Sequence, residues 1–343
     1  MSDVVGGYPH VGSLAVKGLE ALDTADFARK IRAAFRPCCL GTWPTPLEPN
    51  PVLAARTGVP ELWVKREDRS SALYGGNKVR GLEFLFSDVG PGDVVVTIGG
   101  WGSTHCLATA RHARALGAQA VLAQFPQGHN DSEARTSRAS GSASSRVFAA
   151  SSWAGFPAAW LRAWNLAGRL GRRVYIPGGG ARPVAVLGHM LATLELATQL
   201  PGPPDVIVTA LGSGGTAAGI LLGCSLLAWP TQVFAVRVAP RVVANRWKVE
   251  SLARRARSLM ISRNVPLPHA PTSPRLSVVN RMGDGYGVPS AAGEAARVWG
   301  AEAGLEADST YTGKTVAALP DVARMGFTRV VYWHTYAAPG SGL

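Results

Sequence analysis

Short apolar runs alternate along this chain with longer stretches in which apolar and small residues recur at helical spacing. Residues 92–98 (GDVVVTI) end at two glycines and lead into HCLATARHARALG, after which a new run, AVLAQF, begins at residue 120. The same order returns at residues 205–210 (DVIVTA), followed by LGSGGTAAG, ILLGCSLLA and then VFAVRV at residues 233–238. Strand, glycine turn and helix in this order are typical of parallel α/β sheets, so the two separated units predict two α/β lobes.

A polar segment, residues 127–152, separates the two units and is rich in serine, arginine and alanine. It has few large apolar residues, so its composition predicts a mobile loop or a weak helix. A surface linker and a segment that gates the substrate are both open interpretations, because long loops in compact domains are often functional.

Composition and charge narrow the class of protein. No apolar run approaches the roughly 20 residues that span a bilayer, and the first ten residues, MSDVVGGYPH, lack the features of a signal peptide. We therefore expect a cytoplasmic protein without a membrane partner. The formal charge of +13 raises nucleic acid as a partner, but the arginines are scattered without an aromatic platform, so we predict none. The four cysteines show no C-x-x-C spacing, and no metal-ligand set is evident.

One glycine-rich segment, LGSGGTAAG, has the composition of a phosphate-binding turn. Its glycines permit a tight, partly left-handed turn, and its hydroxyls can add donors. The helix that follows would present its positive N-terminal end to an anion. The segment matches neither a P-loop nor a G-x-G-x-x-G motif, so a tight turn without a ligand is also open. The candidate residues are Gly212, Ser213, Gly214, Gly215 and Thr216.

A lysine, Lys78, stands directly after a Gly-Gly-Asn turn and before the helical run KVRGLEFL. A surface lysine keeps its proton because its pKa is about 10.4. A partly desolvated lysine can lose the proton and form a Schiff base with an aldehyde cofactor. Taken alone, Lys78 fits an exposed charge at the start of a helix equally well.

The most specific information lies in six segments that follow one another to the C-terminal end: LWVKREDRSSALYGGNKVRGLEFL (62–85), TIGGWGSTHCLATA (97–110), IPGGGARPVAVLGHMLATLELA (176–197), TALGSGGTAAGI (209–220), GYGVPSAAGEAA (285–296) and DSTYTGKTVAALPD (308–321). In this order they resemble the D-cysteine desulfhydrase and 1-aminocyclopropane-1-carboxylate (ACC) deaminase family. The resemblance implies a pyridoxal-phosphate (PLP) enzyme of the tryptophan-synthase-β-like fold (fold type II). Each lobe is then a three-layer α/β/α unit with a mostly parallel sheet, and the cofactor lies in the cleft between the lobes.

The resemblance also implies a domain division and roles for particular residues. Residues 80–182 form the smaller domain, and residues 1–79 and 183–343 form the larger one. Lys78 forms the Schiff base with PLP and then moves protons on the substrate carbon, with Asn77 beside the cofactor ring. The glycine-rich turn holds the phosphate.

Further family positions are expected to contact the substrate or the cofactor ring. Ser103, followed by Thr104, lies where a helix N-terminus would bind the substrate carboxylate. Tyr286 and Tyr311 match two tyrosines that stack on the ring or face the substrate.

Thr312 follows in YTGK, as in desulfhydrase-like members, whereas members that open the ACC ring resemble YEGK, with an acid near the pyridine nitrogen. A carboxylate there favours a protonated pyridinium, while a hydroxyl leaves the nitrogen closer to neutral. Thr335, in YWHTYAAPG, is a second candidate for contact with that nitrogen. Both threonines remain open at this point.

Several family positions are changed in this chain. Gly102 and Thr104 stand where the family has amides. Gly81 replaces a lysine near the phosphate, and Tyr336 replaces a glycine beside the cofactor. Loss of donors that read a polar substrate group costs about 10⁴-fold in discrimination. We therefore expect a pocket retuned to a different amino acid.

The predicted function is β-elimination from a small amino acid, with abstraction of the α-proton and release of a 2-oxo acid and ammonia, by a homodimer. ACC ring opening, or another PLP reaction on a non-proteinogenic amino acid of specialised metabolism, is an alternative. A PLP-binding protein without turnover is an alternative of a different class.

Overall fold

The computed structural model describes residues 22–268 and 274–340, so the expectation for the first ten residues lies outside the described part. No helix in these ranges combines the length and apolarity needed to cross a bilayer. The strands are β1 Leu47–Pro49, β2 Glu61–Arg66, β3 Asp93–Gly100, β4 Gln119–Phe125, β5 Arg146–Ala149, β6 Arg172–Ile176, β7 Val206–Leu211, β8 Gln232–Arg237, β9 Leu276–Asn280 and β10 Arg329–His334. The α-helices are α1 Thr24–Phe35, α2 Pro51–Thr57, α3 Lys78–Leu85, α4 Thr104–Ala115, α5 Asp131–Ala143, α6 Phe156–Leu170, α7 Pro183–Gln199, α8 Gly215–Leu226, α9 Arg246–Ser262, α10 Ala291–Glu302, α11 Thr312–Val316 and α12 Leu319–Arg324.

The strands form two separate sheets. The larger sheet has the order β1-β2-β10-β7-β8-β9, and the smaller has the order β5-β4-β3-β6. Among the described strands, β1 and β2 pair antiparallel, and the other neighbours pair in parallel. All strands of the smaller sheet come from within residues 80–182, and those of the larger sheet come from both sides of that range.

Alternating side chains bury both faces of each sheet. In β7, Val206 and Val208 join one core and Ile207 and Leu211 join the other. Helices α1, α7, α8 and α9 cover the second of these faces, and α2, α10, α11 and α12 cover the first. The smaller sheet packs between α4 on one face and α6 on the other. Sheets buried on both faces read as nearly continuous apolar strands, and the predicted α/β/α layers with mostly parallel sheets are confirmed.

The segment at residues 127–152 is more regular than the sequence predicted. It contains α5, which begins where the side chain of Asn130 accepts a hydrogen bond from the backbone N–H of Glu133 at 2.9 Å. It also contains β5, which pairs in parallel with β4 at the edge of the smaller sheet. The buried face of α5 includes Thr136 and Ser140, so a search for apolar periodicity misses it. The helix alternative agrees with α5, whereas the prediction of a mobile loop was wrong over α5 and β5.

Candidate active site

A cavity of about 600 Å³ opens between the two sheets. Its wall includes the segments that follow the carboxyl ends of β3, β6, β7, β8 and β10, together with the end of β4 and the start of α3. In open parallel sheets this edge is where ligands bind, because the strands end there and the connecting loops converge. The sequence-predicted site residues, except Thr312, lie in this wall.

Lys78 is the first residue of α3 and lines the cavity. The turn before it is docked on the end of β10, where the backbone N–H of Asn77 donates to the carbonyl of Thr335 at 3.2 Å. Burial lowers the pKa of Lys78 to about 8, because desolvation of the amine is not offset by a carboxylate among the described residues. The amine is therefore much easier to deprotonate near neutral pH than a surface lysine.

Two neutral histidines lie beside Lys78 in a small extension of the cavity. Burial, reinforced by the charge of Lys78, lowers the pKa of His105 to about 3 and that of His189 well below its usual value. The hydroxyl of Thr97 donates to the carbonyl of Ile176 at 2.8 Å. Because that hydroxyl has one proton, it accepts from Nε2–H of His105 at 2.9 Å. Neither histidine competes with the lysine for positive charge.

The changed position 81 faces the same extension. A Cβ on Gly81 would lie 3.3 Å from Cβ of Ala185 and 3.7 Å from Nε2 of His189. The space beside this glycine is therefore occupied by neutral side chains of α7. This part of the wall therefore lacks the positive charge that a lysine at position 81 would add.

The predicted phosphate turn connects β7 to α8. Gly214 is the N-cap residue with φ of 93°, and no side chain caps the first amides of the helix. A Cβ on Gly215 would meet no atom within 4 Å. At the next position, the hydroxyl of Thr216 accepts from the side-chain amide of Asn77 at 2.7 Å. Uncapped amides that face open space suit an anion, and Asn77, the residue before Lys78, connects this turn to the start of α3.

The turn with Ser103 connects β3 to α4. The Ser103 hydroxyl accepts from the backbone N–H of Cys106 at 3.3 Å, so it caps α4, which begins at Thr104. Gly102 has φ of 66°, and a Cβ there would lie 2.5 Å from Cα of Glu133. A side chain at position 102 is excluded by the close approach of α5, which gives the missing amide a packing reason.

Tyr286 and Tyr311 stand together in the wall, with their hydroxyl groups in a short hydrogen bond. Burial raises the pKa of Tyr286 to about 12 and that of Tyr311 well above its usual value. Both phenols are therefore protonated at neutral pH. One O–H group forms the hydrogen bond between the two tyrosines, and the other is available to donate. The ring of Tyr311 lies 3.0 Å from the position of a Cβ on Gly212, beside the phosphate turn.

The structure separates the two threonine candidates for the pyridine nitrogen. The hydroxyl of Thr312 donates to Oδ1 of Asp308 at 2.6 Å and accepts from the backbone N–H of Asp308 at 2.8 Å. This hydroxyl is buried and absent from the cavity wall. Thr335 and the substituted Tyr336 both line the cavity.

Sequence reasoning missed an aromatic part of the wall. Phe125 ends β4, Trp153 follows the polar segment, and Phe156 is the first residue of α6. The available signal was the pair of aromatic residues in SSWAGF, which borders an amphipathic helix. The two segments meet only because β4 and α6 pack together.

The fold and the site together define a class. The family described as "Pyridoxal-phosphate dependent enzyme" matches residues 39–335, and the chain belongs to it. It is 33% identical to a Pyrococcus abyssi protein named "Putative 1-aminocyclopropane-1-carboxylate deaminase", over 87% of this chain and 90% of that one. It is 34% identical to "Nocardicin C-9' epimerase" of Nocardia uniformis subsp. tsuyamanensis, over 88% of this chain and 92% of that one.

A solved structure described as an ACC deaminase homologue is 29% identical, with a TM-score of 0.75 over 91% of this chain and 95% of that one. These similarities confirm the predicted family, fold type II and PLP as the cofactor. The residues present fit that cofactor. The uncapped amides of α8 and the open space at Gly215 suit its phosphate, and the weakly basic amine of Lys78 suits its aldehyde.

Proposed function

We propose that this enzyme removes the α-proton of an amino acid and eliminates its β-substituent, releasing a 2-oxo acid and ammonia as a D-cysteine desulfhydrase does. One observation carries the proposal. The amine of Lys78, the N-terminus of α4 at Ser103 and the protonated pair Tyr286–Tyr311 all line one cavity with the phosphate turn. Bound PLP would supply an electron sink for the negative charge that develops at Cα.

The residues of the cavity have distinct proposed roles. The N-terminus of α4 binds the substrate carboxylate, because its first amides carry a partial positive charge. Lys78 takes the proton from Cα, and the bond from Cβ to the leaving group breaks. The pair Tyr286–Tyr311 donates a proton to the leaving group. Water then hydrolyses the released enamine to the 2-oxo acid and ammonia.

Thr335 is the proposed partner of the pyridine nitrogen, since it lines the cavity. A hydroxyl leaves that nitrogen closer to neutral than a carboxylate would. The carboxylate of Asp308 also lines the cavity, but its oxygens accept backbone N–H groups of Thr310, Tyr311 and Thr312. This arrangement favours elimination over opening of the ACC ring.

Epimerisation is a second candidate. Inversion at Cα requires one group to remove a proton and another to return it. The cavity contains two groups that can hold a proton, Lys78 and the pair Tyr286–Tyr311. The similarity to a protein named as an epimerase supports the same reaction class. Inversion would leave the β-substituent in place, which distinguishes it from elimination.

An absorption spectrum of the purified protein with PLP, repeated with D- and L-amino acids and ACC, tests the proposal. We expect a visible band that shifts with the substrate, and release of a 2-oxo acid from D-cysteine or β-chloroalanine. Lys78→Ala should abolish product formation, whereas Lys30→Ala should not, because the side chain of Lys30 lies on the solvent side of α1. Chiral inversion in D₂O without a 2-oxo acid would replace elimination by epimerisation. A shift with none of these compounds would contradict both.

We also propose, from the family resemblance, that the enzyme acts as a homodimer in the cytoplasm, with an amino acid as its substrate. Light scattering of the purified protein measures the oligomeric state. A mass of 35.9 kDa, that of one chain, would contradict the dimer.

A further inference from the structure

An aromatic wall, consisting of Phe125, Trp153 and Phe156, lines one part of the cavity. The rings of Phe125 and Trp153 stack with centroids 4.7 Å apart and an interplanar angle of 22°. The ring of Phe156 meets Phe125 edge-on at 5.6 Å. Phe125 also lies 6.4 Å, centroid to centroid, from Tyr286. The wall is therefore continuous with a tyrosine to which we assign a role in the reaction.

Apolar side chains of this region are left open to water. Trp153 is 64% exposed, although it lines the cavity. Val242 and Val243, which follow β8 in the other lobe, also line the cavity and are 85% and 41% exposed. Exposed apolar surface that lines a pocket favours an apolar part of the ligand, because burial of that surface contributes to binding.

The cavity has to hold PLP as well as the amino-acid substrate. A volume of about 600 Å³ is in the range of sites for drug-sized ligands. The aromatic wall and Val242–Val243 have no part in the roles proposed for Lys78, the N-terminus of α4, the pair Tyr286–Tyr311 or the phosphate turn, so they are available to a side chain of the substrate. Among the described residues of the wall, the side chains of the types Lys, Arg, Asp and Glu are those of Lys78, Lys248 and Asp308. The remote part of the substrate therefore meets a mainly uncharged, aromatic surface.

We propose that the natural substrate is an amino acid with an aryl or comparably large apolar group attached through Cβ, and that this group packs between the aromatic wall and Val242–Val243. The inference rests on the proposed chemistry at Cα. It adds the substrate class, which neither the phosphate turn nor Lys78 determines. In elimination, the large group departs with the β-substituent, so it need not be part of the 2-oxo acid.

S-Methylcysteine and S-benzylcysteine, each as D and L forms, provide the test with wild-type enzyme loaded with PLP. Both break the same Cα–H and Cβ–S bonds and give the same 2-oxo acid, so they differ in the aryl group alone. The measurements are α-hydrogen exchange in D₂O and 2-oxo acid release. We expect kcat/KM to favour the benzyl compound by about 10- to 100-fold, the effect of burying a ring in an apolar pocket.

Two tryptophan variants link this preference to the wall. Trp153→Ala should reduce the preference for the benzyl compound by about 5- to 10-fold, through loss of ring contacts. Trp247→Ala is the matched control, since Trp247 is 71% exposed and lies outside the cavity wall. The Trp247→Ala variant should prefer the benzyl compound as strongly as the wild-type enzyme does.

The outcomes separate the substrate class from the chemistry. Equal kcat/KM values for the two compounds, or a preference that Trp153→Ala leaves intact, would overturn the aromatic-substrate inference while the reaction stands. If the wild-type enzyme exchanges the α-hydrogen of neither compound, calorimetric titration of both compounds into Lys78→Ala loaded with PLP measures their binding. Tighter binding of the benzyl compound there would keep the inference and overturn the proposed reaction. Equal binding without exchange would overturn both.

Discussion

Two glycine-rich turns carry a strand into a helix at the cavity, one before α4 and one before α8. In the first, Ser103 caps the helix with its own hydroxyl, and a Cβ on Gly102 would collide with Glu133. In the second, Gly214 leaves the first amides of the helix without a side-chain cap, and a Cβ on Gly215 would meet nothing within 4 Å. Glycine serves close packing in the first turn and space for a ligand in the second. Three experiments test this contrast, and a fourth tests the lysine that shares the cavity with both turns.

The largest expected effect is on stability, from Gly102→Ala. The new Cβ would enter backbone of α5, and the left-handed φ adds strain, so we expect a loss of about 3–5 kcal/mol in the free energy of unfolding. Gly92→Ala is the control, because Gly92 also has a positive φ but open surroundings. It should lose only about 1 kcal/mol in a denaturant titration. Equal losses at the two sites would contradict the packing role of Gly102.

Lys78, which shares the cavity with the uncapped turn before α8, should react with PLP at a lower pH than an ordinary lysine does. With a pKa of about 8, roughly one amine in ten is deprotonated at pH 7, against fewer than about one in a thousand for an ordinary lysine with a pKa of about 10.4. The lowered pKa favours the neutral amine. The rate of PLP capture should therefore rise with pH, reach half its maximum near pH 8 and level off above that pH. Stopped-flow absorption of cofactor-free protein mixed with PLP measures this, with Nα-acetyl-lysine as the control. A rate still rising through pH 10 would contradict the lowered pKa.

A smaller effect is expected at the open turn. Gly215→Ala should weaken PLP binding by about 10- to 100-fold, since its methyl group would take space that the phosphate needs and crowd the free amides. Unfolding of the cofactor-free protein should match that of wild type, because no protein atom is displaced. Equilibrium dialysis gives the affinity. Destabilisation of the cofactor-free protein would show that Gly215 serves packing after all.

The smallest effect separates the two serines. Ser103→Ala should cost about 1 kcal/mol in the free energy of unfolding, through loss of the N-cap of α4. Ser213→Ala should leave that free energy nearly unchanged, because Ser213 caps no helix and its hydroxyl donates only a 3.3 Å bond to the carbonyl of Gly179. Thermal unfolding of both cofactor-free variants measures the difference. Equal destabilisation would remove the contrast between the turns.

Elements with a local signature were predictable. Strands β3, β4, β7 and β8 are continuous apolar runs because both faces of their sheets are buried. For α5 the sequence left a loop and a weak helix open, because its buried face consists largely of small polar residues, and β5 was missed because it owes its order to pairing with β4. The aromatic wall escaped prediction because Phe125 is brought to Trp153 by tertiary packing.

By itself the sequence determined the layered α/β fold, the glycine turn before α8, the position of Lys78 at the start of α3 and, through ordered motifs, the family and its cofactor. These features depend on neighbouring residues, whose periodicity and chemistry can be read along the chain. Only the tertiary structure placed Thr335 in the cavity and Thr312 outside it, gave Gly102 its packing role and assembled the aromatic wall. Those outcomes depend on side chains from distant segments, and close packing decides which of them can approach one another.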